Sequence, residues 1–228
     1  HARLLDADDD VAAISHPPDG DLFHPIVRIV DLSDGRIVAE LDDQGLGVTP
    51  IAFSPARDRR LLATHSRHDR KGLLIWSPDT DAVQEVVVDL DGDVRGIWLP
   101  DASGLLLVSS LDGRDVLYKL DLGSGSLDRL DAPCGVVDES SARADGTVHA
   151  LVEPSVELDE YLPLTAALVD AGYAVVRVNY RGSTGYGRAW RDALVARLGA
   201  IEIEDIGAVR DSLEADGILH PANVAIVG

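Results

Sequence analysis

The sequence predicts a partial β-propeller over residues 1–146, followed over residues 147–228 by the first part of a parallel α/β domain. Short apolar runs broken by Asp-Gly, Ser-Pro and Gly-Ser pairs fill the first region, which is typical of antiparallel strands joined by tight turns. These runs repeat with a period near 45 residues, which is typical of propeller blades. From about Thr147, stretches of strand length and of helix length alternate, which indicates a parallel sheet.

The repeat is visible as pairs of residues that occupy the same place in successive units. Phe53 and Trp98 are 45 residues apart, and Val30 and Trp76 are 46 apart. About three units fit into residues 1–146, whereas a closed propeller has roughly 4–8 blades, so we expect an incomplete propeller. A β-sandwich is the alternative, because it shows similar turns without a fixed period.

The second region contains three helices and three strands in the pattern of apolar residues. The helices are predicted at 158–171, 188–198 and 204–213, and the strands at 148–152, 173–179 and 223–228. Residues 173–179 are apolar nearly throughout, as in a strand covered on both faces. Val169, Ile206, Val209 and Leu213 are predicted to face inward, and Gly172 to end the first helix.

Composition argues against several classes of partner. The chain has 40 acidic and 20 basic residues, a net charge of −20 that disfavours a nucleic-acid backbone. No apolar run approaches the roughly 18 residues of a membrane span, so we expect no membrane. The single cysteine, Cys134, indicates either a reducing compartment or indifference to redox conditions, and we expect a cytoplasmic location. The acids lack the spacing of a calcium loop and the histidines lack that of a zinc site, so we expect no metal and no cofactor. We expect His65 and His68 to be surface residues on a loop.

We expect the chain to be a piece of a longer protein. It begins with His1, contains no methionine, and stops at Gly228 directly after an apolar stretch with the pattern of a buried strand. A buried strand rarely ends a natural chain with nothing after it. Residues of the parent are therefore expected beyond this point.

A glycine-rich loop at 181–187 follows the second predicted strand of this region. It has neither the Lys-Ser/Thr of a P-loop nor the spacing of G-x-G-x-x-G, so a phosphate site is not indicated. It follows the carboxyl end of a strand, where parallel sheets place their sites. From the residues alone, a structural turn and a site-lining loop are both compatible with this position.

Residues 179–187, Asn-Tyr-Arg-Gly-Ser-Thr-Gly-Tyr-Gly, resemble the prolyl oligopeptidase family of serine peptidases, and its acylaminoacyl-peptidase-like branch in particular. Glu204-Asp205 in a helix and the apolar run 224–228 match the same family by order and spacing. The resemblance covers residues 158–228. The family also places a propeller before an α/β-hydrolase domain, which matches the order of the two predicted regions.

The resemblance implies a serine peptidase that hydrolyses short peptides, with a propeller that excludes folded proteins. In the family, a strand like 224–228 leads into a G-x-S-x-G nucleophile elbow, and a later Asp and His complete the triad. We therefore expect no catalytic residue in this chain. The nucleophilic serine is expected just after Gly228, with the Asp and the His further on, so these 228 residues alone should be inactive. Ser183 does not qualify, because Gly182 and Thr184 do not form an elbow.

Tyr180 and Arg181 are the candidates for the substrate cleft, because the family's substrate would lie near this loop. Arg181 could bind a peptide carboxylate or carbonyl through its guanidinium fork, or it could form a structural salt bridge with Glu204 or Asp205. Trp190 is predicted to be a core residue.

The sequence departs from the family near Ser155, where relatives have a further strand and a His-Gly-Gly-Pro-like loop that supplies part of the oxyanion hole. This chain instead continues almost directly into a helix, so either residues are omitted between about Ser155 and Val156, which we favour, or the chain is a degenerate relative of the family.

Two other functions remain open from the sequence. An α/β-hydrolase esterase would use the same triad without needing a propeller. A propeller binding module with a vestigial hydrolase half would have no nucleophile after Gly228. A homo-oligomer is expected by resemblance only, and short peptides are the expected substrates.

Overall fold

Three four-stranded antiparallel sheets follow one another along the chain and make up most of the computed structural model. The structure describes residues 3–5, 10–111, 114–132, 136–153, 163–183, 186–220 and 224–225. Blade 1 consists of β1 (Arg3–Leu5), β2 (Val11–His16), β3 (Ile26–Asp31) and β4 (Ile37–Leu41). Blade 2 consists of β5 (Val48–Phe53), β6 (Leu61–His65), β7 (Gly72–Ser77) and β8 (Ala82–Val86). Blade 3 consists of β9 (Asp93–Trp98), β10 (Gly104–Leu111), β11 (Arg114–Asp121) and β12 (Leu127–Arg129).

The strand order confirms the predicted partial propeller. In every blade the four strands pair in chain order, as a simple meander. β5 and β9 begin 45 residues apart, at Val48 and Asp93, which is the offset seen in the sequence. The two repeat positions also meet in space, because the indole Nε1 of Trp98 donates a hydrogen bond to the Ala52 carbonyl at 3.1 Å.

The core lies between the blades, because strands of blade 2 bury side chains on both of their faces. Leu61 and Trp76 pack toward blade 1, whereas Leu62 and Ile75 pack toward blade 3. Successive side chains of a strand point to opposite faces, so neighbouring residues join different clusters. All four side chains are 3% exposed or less. The continuous apolar runs of blade 2 thus reflect a sheet covered on both sides.

Aspartates close the turns between the third and fourth strands of blades 1 and 3. Asp31 Oδ1 accepts hydrogen bonds from the backbone N–H and the hydroxyl of Ser33, at 2.8 and 2.6 Å. Asp121 makes the same pair of bonds with Ser124. The serine hydrogen bonds hold the pKa of each carboxyl below its ordinary value. The acids of the repeat are therefore turn residues, as the sequence indicates.

A hairpin of β13 (Val136–Ala142) and β14 (Val148–Glu153) follows blade 3 and pairs antiparallel. Val137 and Val148 join an apolar cluster with Leu106 and Leu117 of blade 3. The sequence pattern predicts a strand near Thr147 in a parallel sheet, and that pairing is wrong. β14 has a nearer partner in β13, because a short turn at 143–147 brings the two strands together.

Among the described residues, three α-helices follow: α1 (Pro163–Asp170), α2 (Arg188–Asp192) and α3 (Ile201–Ala215). Gly172 ends α1 as predicted, with a φ of +90° and with the Tyr173 N–H bonded to the Leu168 carbonyl at 3.0 Å. The predicted start of this helix, 158–162, lies outside the described residues. α2 ends six residues before the predicted Leu198, because the turns that follow include Ala196 with a φ of +59°, which no α-helix accommodates.

The strand predicted at 173–179 is not formed. Residues 173–180 pair with no other described segment, and Tyr173 and Val176 are 63% and 53% exposed. Val169 of α1, predicted to face inward, is 54% exposed. Apolar composition does not by itself make a strand, since a strand exists through ladder hydrogen bonds to a neighbour.

The remaining predictions on this region have mixed outcomes. Val224 is 42% exposed, and most of the strand predicted at 223–228 lies outside the described residues. In α3, Ile206, Val209 and Leu213 are half-buried, which confirms the predicted face.

Candidate substrate-binding loop

Arg181 is fixed to helix α3 by a dense set of hydrogen bonds. Its Nε and Nη2 donate to Asp205 Oδ1 at 2.9 and 2.6 Å, and its backbone N–H donates to Asp205 Oδ2 at 2.6 Å. Nη2 also reaches Glu204 Oε2 at 3.2 Å. The bond from Arg181 lowers the pKa of Asp205, and the bond to Asp205 raises the pKa of Arg181. This is the salt bridge that the sequence left open as one of two roles for Arg181.

Tyr180 lies at the start of the same loop, with its side chain partly open to solvent. It is 37% exposed. Its carbonyl accepts hydrogen bonds from the Ser183 N–H at 3.0 Å and from Trp190 Nε1 at 3.1 Å. Backbone bonds therefore hold Tyr180 in place while its side chain remains available for contacts.

Trp190 is half-buried and contacts residues at both ends of the loop 181–187. Its ring lies 5.9 Å from the ring of Tyr186, and the Tyr186 hydroxyl accepts a hydrogen bond from Asn179 Nδ2 at 2.9 Å. The Trp190 carbonyl accepts the N–H of Gly182 at 2.9 Å. The predicted core role of Trp190 is thus only partly correct, because the ring packs at the edge of the loop.

Gly182 is required by the close approach of helix-flanking side chains. Its φ is +114°, and a Cβ built on it would lie 2.9 Å from Leu194 Cδ2. Only glycine accepts both the conformation and the contact. The start of the glycine-rich loop is therefore tightly packed against Leu194. Residues 184 and 185 of the loop, the sequence around Ser155, and residues 226–228 lie outside the described residues.

A polar cluster on blade 2 was not predicted. The Arg67 guanidinium donates to Asp43 through Nε at 3.0 Å and Nη2 at 2.6 Å, and through Nη1 to Glu85 at 3.1 Å. His68 Nε2 lies 2.7 Å from the same Glu85. The Asp43 side chain is 8% exposed, so this ion pair is largely withdrawn from water. The hydrogen bond to Asp43 raises the pKa of Arg67.

The two histidines of this cluster differ from one another. The sequence predicts both His65 and His68 at the surface; the side chain of His68 is 73% exposed, but that of His65 is 2% exposed. Burial lowers the pKa of His65. Its Nδ1 accepts the Arg67 N–H at 3.1 Å, which leaves the proton on Nε2. The signal that could have shown this burial is the alternation of faces along a strand. His65 lies on the same face of β6 as the buried residues Leu61 and Ala63.

A cavity of about 690 Å³ lies between blades 1 and 2, and none of its lining residues belongs to the region after residue 153. It is lined by both apolar and charged side chains, among them Ile29, Val38, Phe53, Asp31, Arg59 and Asp79. Within the described residues, no group of His, Cys, Asp or Glu is arranged to hold a metal ion. No helix in that part of the chain has the length and apolarity needed to cross a membrane.

The three blades in series define a partial β-propeller, and a helical region with the loop 181–187 follows them. Residues 161–228 match the model of the prolyl oligopeptidase family. Acylamino-acid-releasing enzyme 2 of Oryza sativa subsp. japonica is 28% identical over 74 residues, which is 32% of this chain and 10% of that enzyme. Acylamino-acid-releasing enzyme 1 of the same plant is 32% identical over 68 residues, which is 30% of this chain and 9% of that enzyme. The alignments thus span about a tenth of the length of these relatives.

Solved structures show the same fold over more of the chain. Puromycin hydrolase superimposes with a TM-score of 0.58 at 17% identity, covering 96% of this chain and 47% of that protein. TolB from Acinetobacter baumannii superimposes with a TM-score of 0.53 at 23% identity, covering 68% of this chain and 38% of TolB. These similarities establish the propeller fold of the blades.

Proposed function

We propose that the protein is a serine peptidase of the acylaminoacyl-peptidase-like branch, acting on short peptides. The observation that carries this proposal is the match of residues 161–228 to the prolyl oligopeptidase family in a chain that also forms propeller blades. The names of the plant relatives favour peptides with an acylated N-terminal residue as the substrate class. A cytoplasmic location and a homo-oligomer belong to the same proposal.

The chemistry would be supplied by a Ser-Asp-His triad that lies outside these 228 residues. The serine oxygen attacks the scissile carbonyl as the histidine takes its proton, and the histidine then protonates the leaving amine. Water, activated by the same histidine, releases the acyl group from the serine. The aspartate holds the histidine in the required tautomer.

The residues of this chain would position the peptide. We place Tyr180 and Arg181 beside the substrate, on the loop fixed to α3 through Asp205. Since Nε and Nη2 of Arg181 are already bonded to acids of α3, its main contribution is to hold Tyr180 and the loop backbone. The Tyr180 ring, 37% exposed, supplies the contact surface.

The proposal is tested on the full-length parent protein, with the 228-residue chain as the inactive control. A fluorophosphonate probe labels an activated serine, and the labelled peptide is identified by mass spectrometry. Hydrolysis is then compared on acetyl-alanine p-nitroanilide, alanine p-nitroanilide, glycyl-proline p-nitroanilide and p-nitrophenyl butyrate.

Labelling of a serine just after Gly228 together with preferential cleavage of the acetylated substrate supports the proposal. Preference for the dipeptide substrate would overturn the acylaminoacyl assignment and keep a peptidase. Cleavage of the ester alone would indicate an esterase, and absence of both labelling and cleavage would indicate a binding module.

A further inference from the structure

A single aspartate of blade 2 joins the propeller to the loop described above. Asp69, in the β6–β7 loop at 66–71, accepts a hydrogen bond on its carbonyl from the Arg188 N–H. Its carboxylate Oδ1 accepts the Ala189 N–H at 2.7 Å. We infer that Asp69 is a positioning residue for substrate binding, an inference that rests on the proposed function.

The surroundings of Gly187 show how closely the β6–β7 loop of blade 2 approaches the end of the loop 181–187. Its φ is +88°, and a Cβ built on it would lie 3.0 Å from the Asp69 carbonyl oxygen and 3.2 Å from Oδ2. Gly187 is buried, although it precedes a five-residue helix on the surface of the second region. The contact therefore fixes the end of the loop 181–187 in both conformation and place.

The propeller side of the contact is anchored at both ends of the β6–β7 loop. At the start, the Arg67 side chain is bonded to Asp43 and Glu85. At the end, the Lys71 N–H donates to Asp93 Oδ1 at 3.0 Å, and the Lys71 carbonyl accepts the Val94 N–H at 2.7 Å. Bonds to blades 2 and 3 thus hold the segment that presents Asp69.

On the other side of the contact, helix α2 connects Asp69 to Tyr180, the candidate cleft residue. Trp190, one residue beyond Ala189, donates its indole N–H to the Tyr180 carbonyl and accepts the Gly182 N–H. A chain of hydrogen bonds therefore leads from Asp69 through α2 to the backbone of Tyr180. Asp69 would act on substrate binding through this chain, without touching the peptide.

The inference is tested in the full-length protein with Asp69→Ala, with Asp69→Asn as the conservative variant, and with Asp79→Ala as the matched control. Asp79 is an exposed aspartate in the β7–β8 turn of the same blade. Asn retains the Oδ1 acceptor, whereas Ala removes it. For Asp69→Ala we expect KM for the cleaved p-nitroanilide to rise about tenfold with kcat nearly unchanged, since a charge-assisted bond is lost. Asp69→Asn should recover most of this loss.

Hydrogen exchange provides a readout that does not depend on activity. In peptides covering residues 186–194, Asp69→Ala should accelerate amide exchange, and Asp79→Ala should leave it unchanged. Unchanged exchange in Asp69→Ala would overturn the contact, even in an active peptidase. Faster exchange with an unchanged KM would overturn the positioning role. A wild-type parent that cleaves nothing would instead overturn the proposed function, while the exchange result still decides whether the contact exists.

Discussion

The buried ion pair of blade 2 gives the sharpest prediction about stability. In Asp43→Ala, the Arg67 guanidinium loses the carboxylate that accepts its Nε and Nη2 hydrogen bonds. The lost carboxylate is 8% exposed, so water does not readily replace it. Asp58→Ala is the matched control, because it removes an Asp–Arg pair with Arg60 in the same blade whose side chains are 38% and 32% exposed.

The magnitude follows from burial. Removing one partner of a fully buried pair costs about 3–5 kcal/mol. Arg67 keeps its bond to Glu85 and is 25% exposed, so part of its charge remains compensated. We therefore expect Asp43→Ala to lower the free energy of unfolding by about 2–3 kcal/mol. The exposed pair should contribute at most about 1 kcal/mol.

The assay is urea unfolding followed by the fluorescence of Trp76 and Trp98, which are buried on blades 2 and 3. An unchanged m-value would show that the denatured state is the same in both variants. If Asp43→Ala lost no more stability than Asp58→Ala, burial would not decide the strength of this pair, and the reasoning would be refuted.

Two further predictions concern the same blades and helix α3. Since burial lowers the pKa of His65, the unfolded chain binds more protons below about pH 6.5, so wild-type stability should fall as the pH drops. His65→Asn, which retains an acceptor for the Arg67 amide, should reduce this dependence in urea unfolding at about pH 5 and 7.5; equal slopes in the variant and the wild type would contradict it. Gly104→Ala should lower the free energy of unfolding by about 1–3 kcal/mol, because the added Cβ would meet the Leu120 carbonyl. Gly207→Ala in α3 should raise the free energy of unfolding by about 0.5–1 kcal/mol, because nothing lies within 4 Å of the added Cβ. Thermal unfolding measures both, and a stabilised Gly104→Ala would be incompatible with the packing of β10.

The blades were predictable from the sequence because their information is local and repeated. Phe53 and Trp98 occupy the same place in two copies of one unit. The turn aspartates accept hydrogen bonds from residues only two or three positions away. The region after residue 153 was harder, because its elements depend on partners. Residues 173–179 have the composition of a buried strand, but composition does not say which segment provides the ladder.

The candidate loop was found by its resemblance to a family, whereas most of the hydrogen bonds that hold the loop in place were not predicted. The Arg181–Asp205 pair was among the alternatives, because both residues lie in the recognisable segment. Asp69 and Ala189 are 120 residues apart and belong to no motif, so nothing local connects them. Likewise, Arg67 meets Asp43 across 24 residues, a pairing that only the arrangement of the strands reveals.

The burial of blade 2 on both faces predicts how the chain should tolerate mutation over evolutionary time. A change at Leu62 or Trp76 disturbs the blade and one of its neighbours, so β6 and β7 should accept few residue types. Ile37 and Val38 of β4 are each 47% exposed and should vary freely. Tolerance to substitution should therefore vary along the chain with the period of the blade repeat. Insertions should accumulate at the positions where this tolerance is highest.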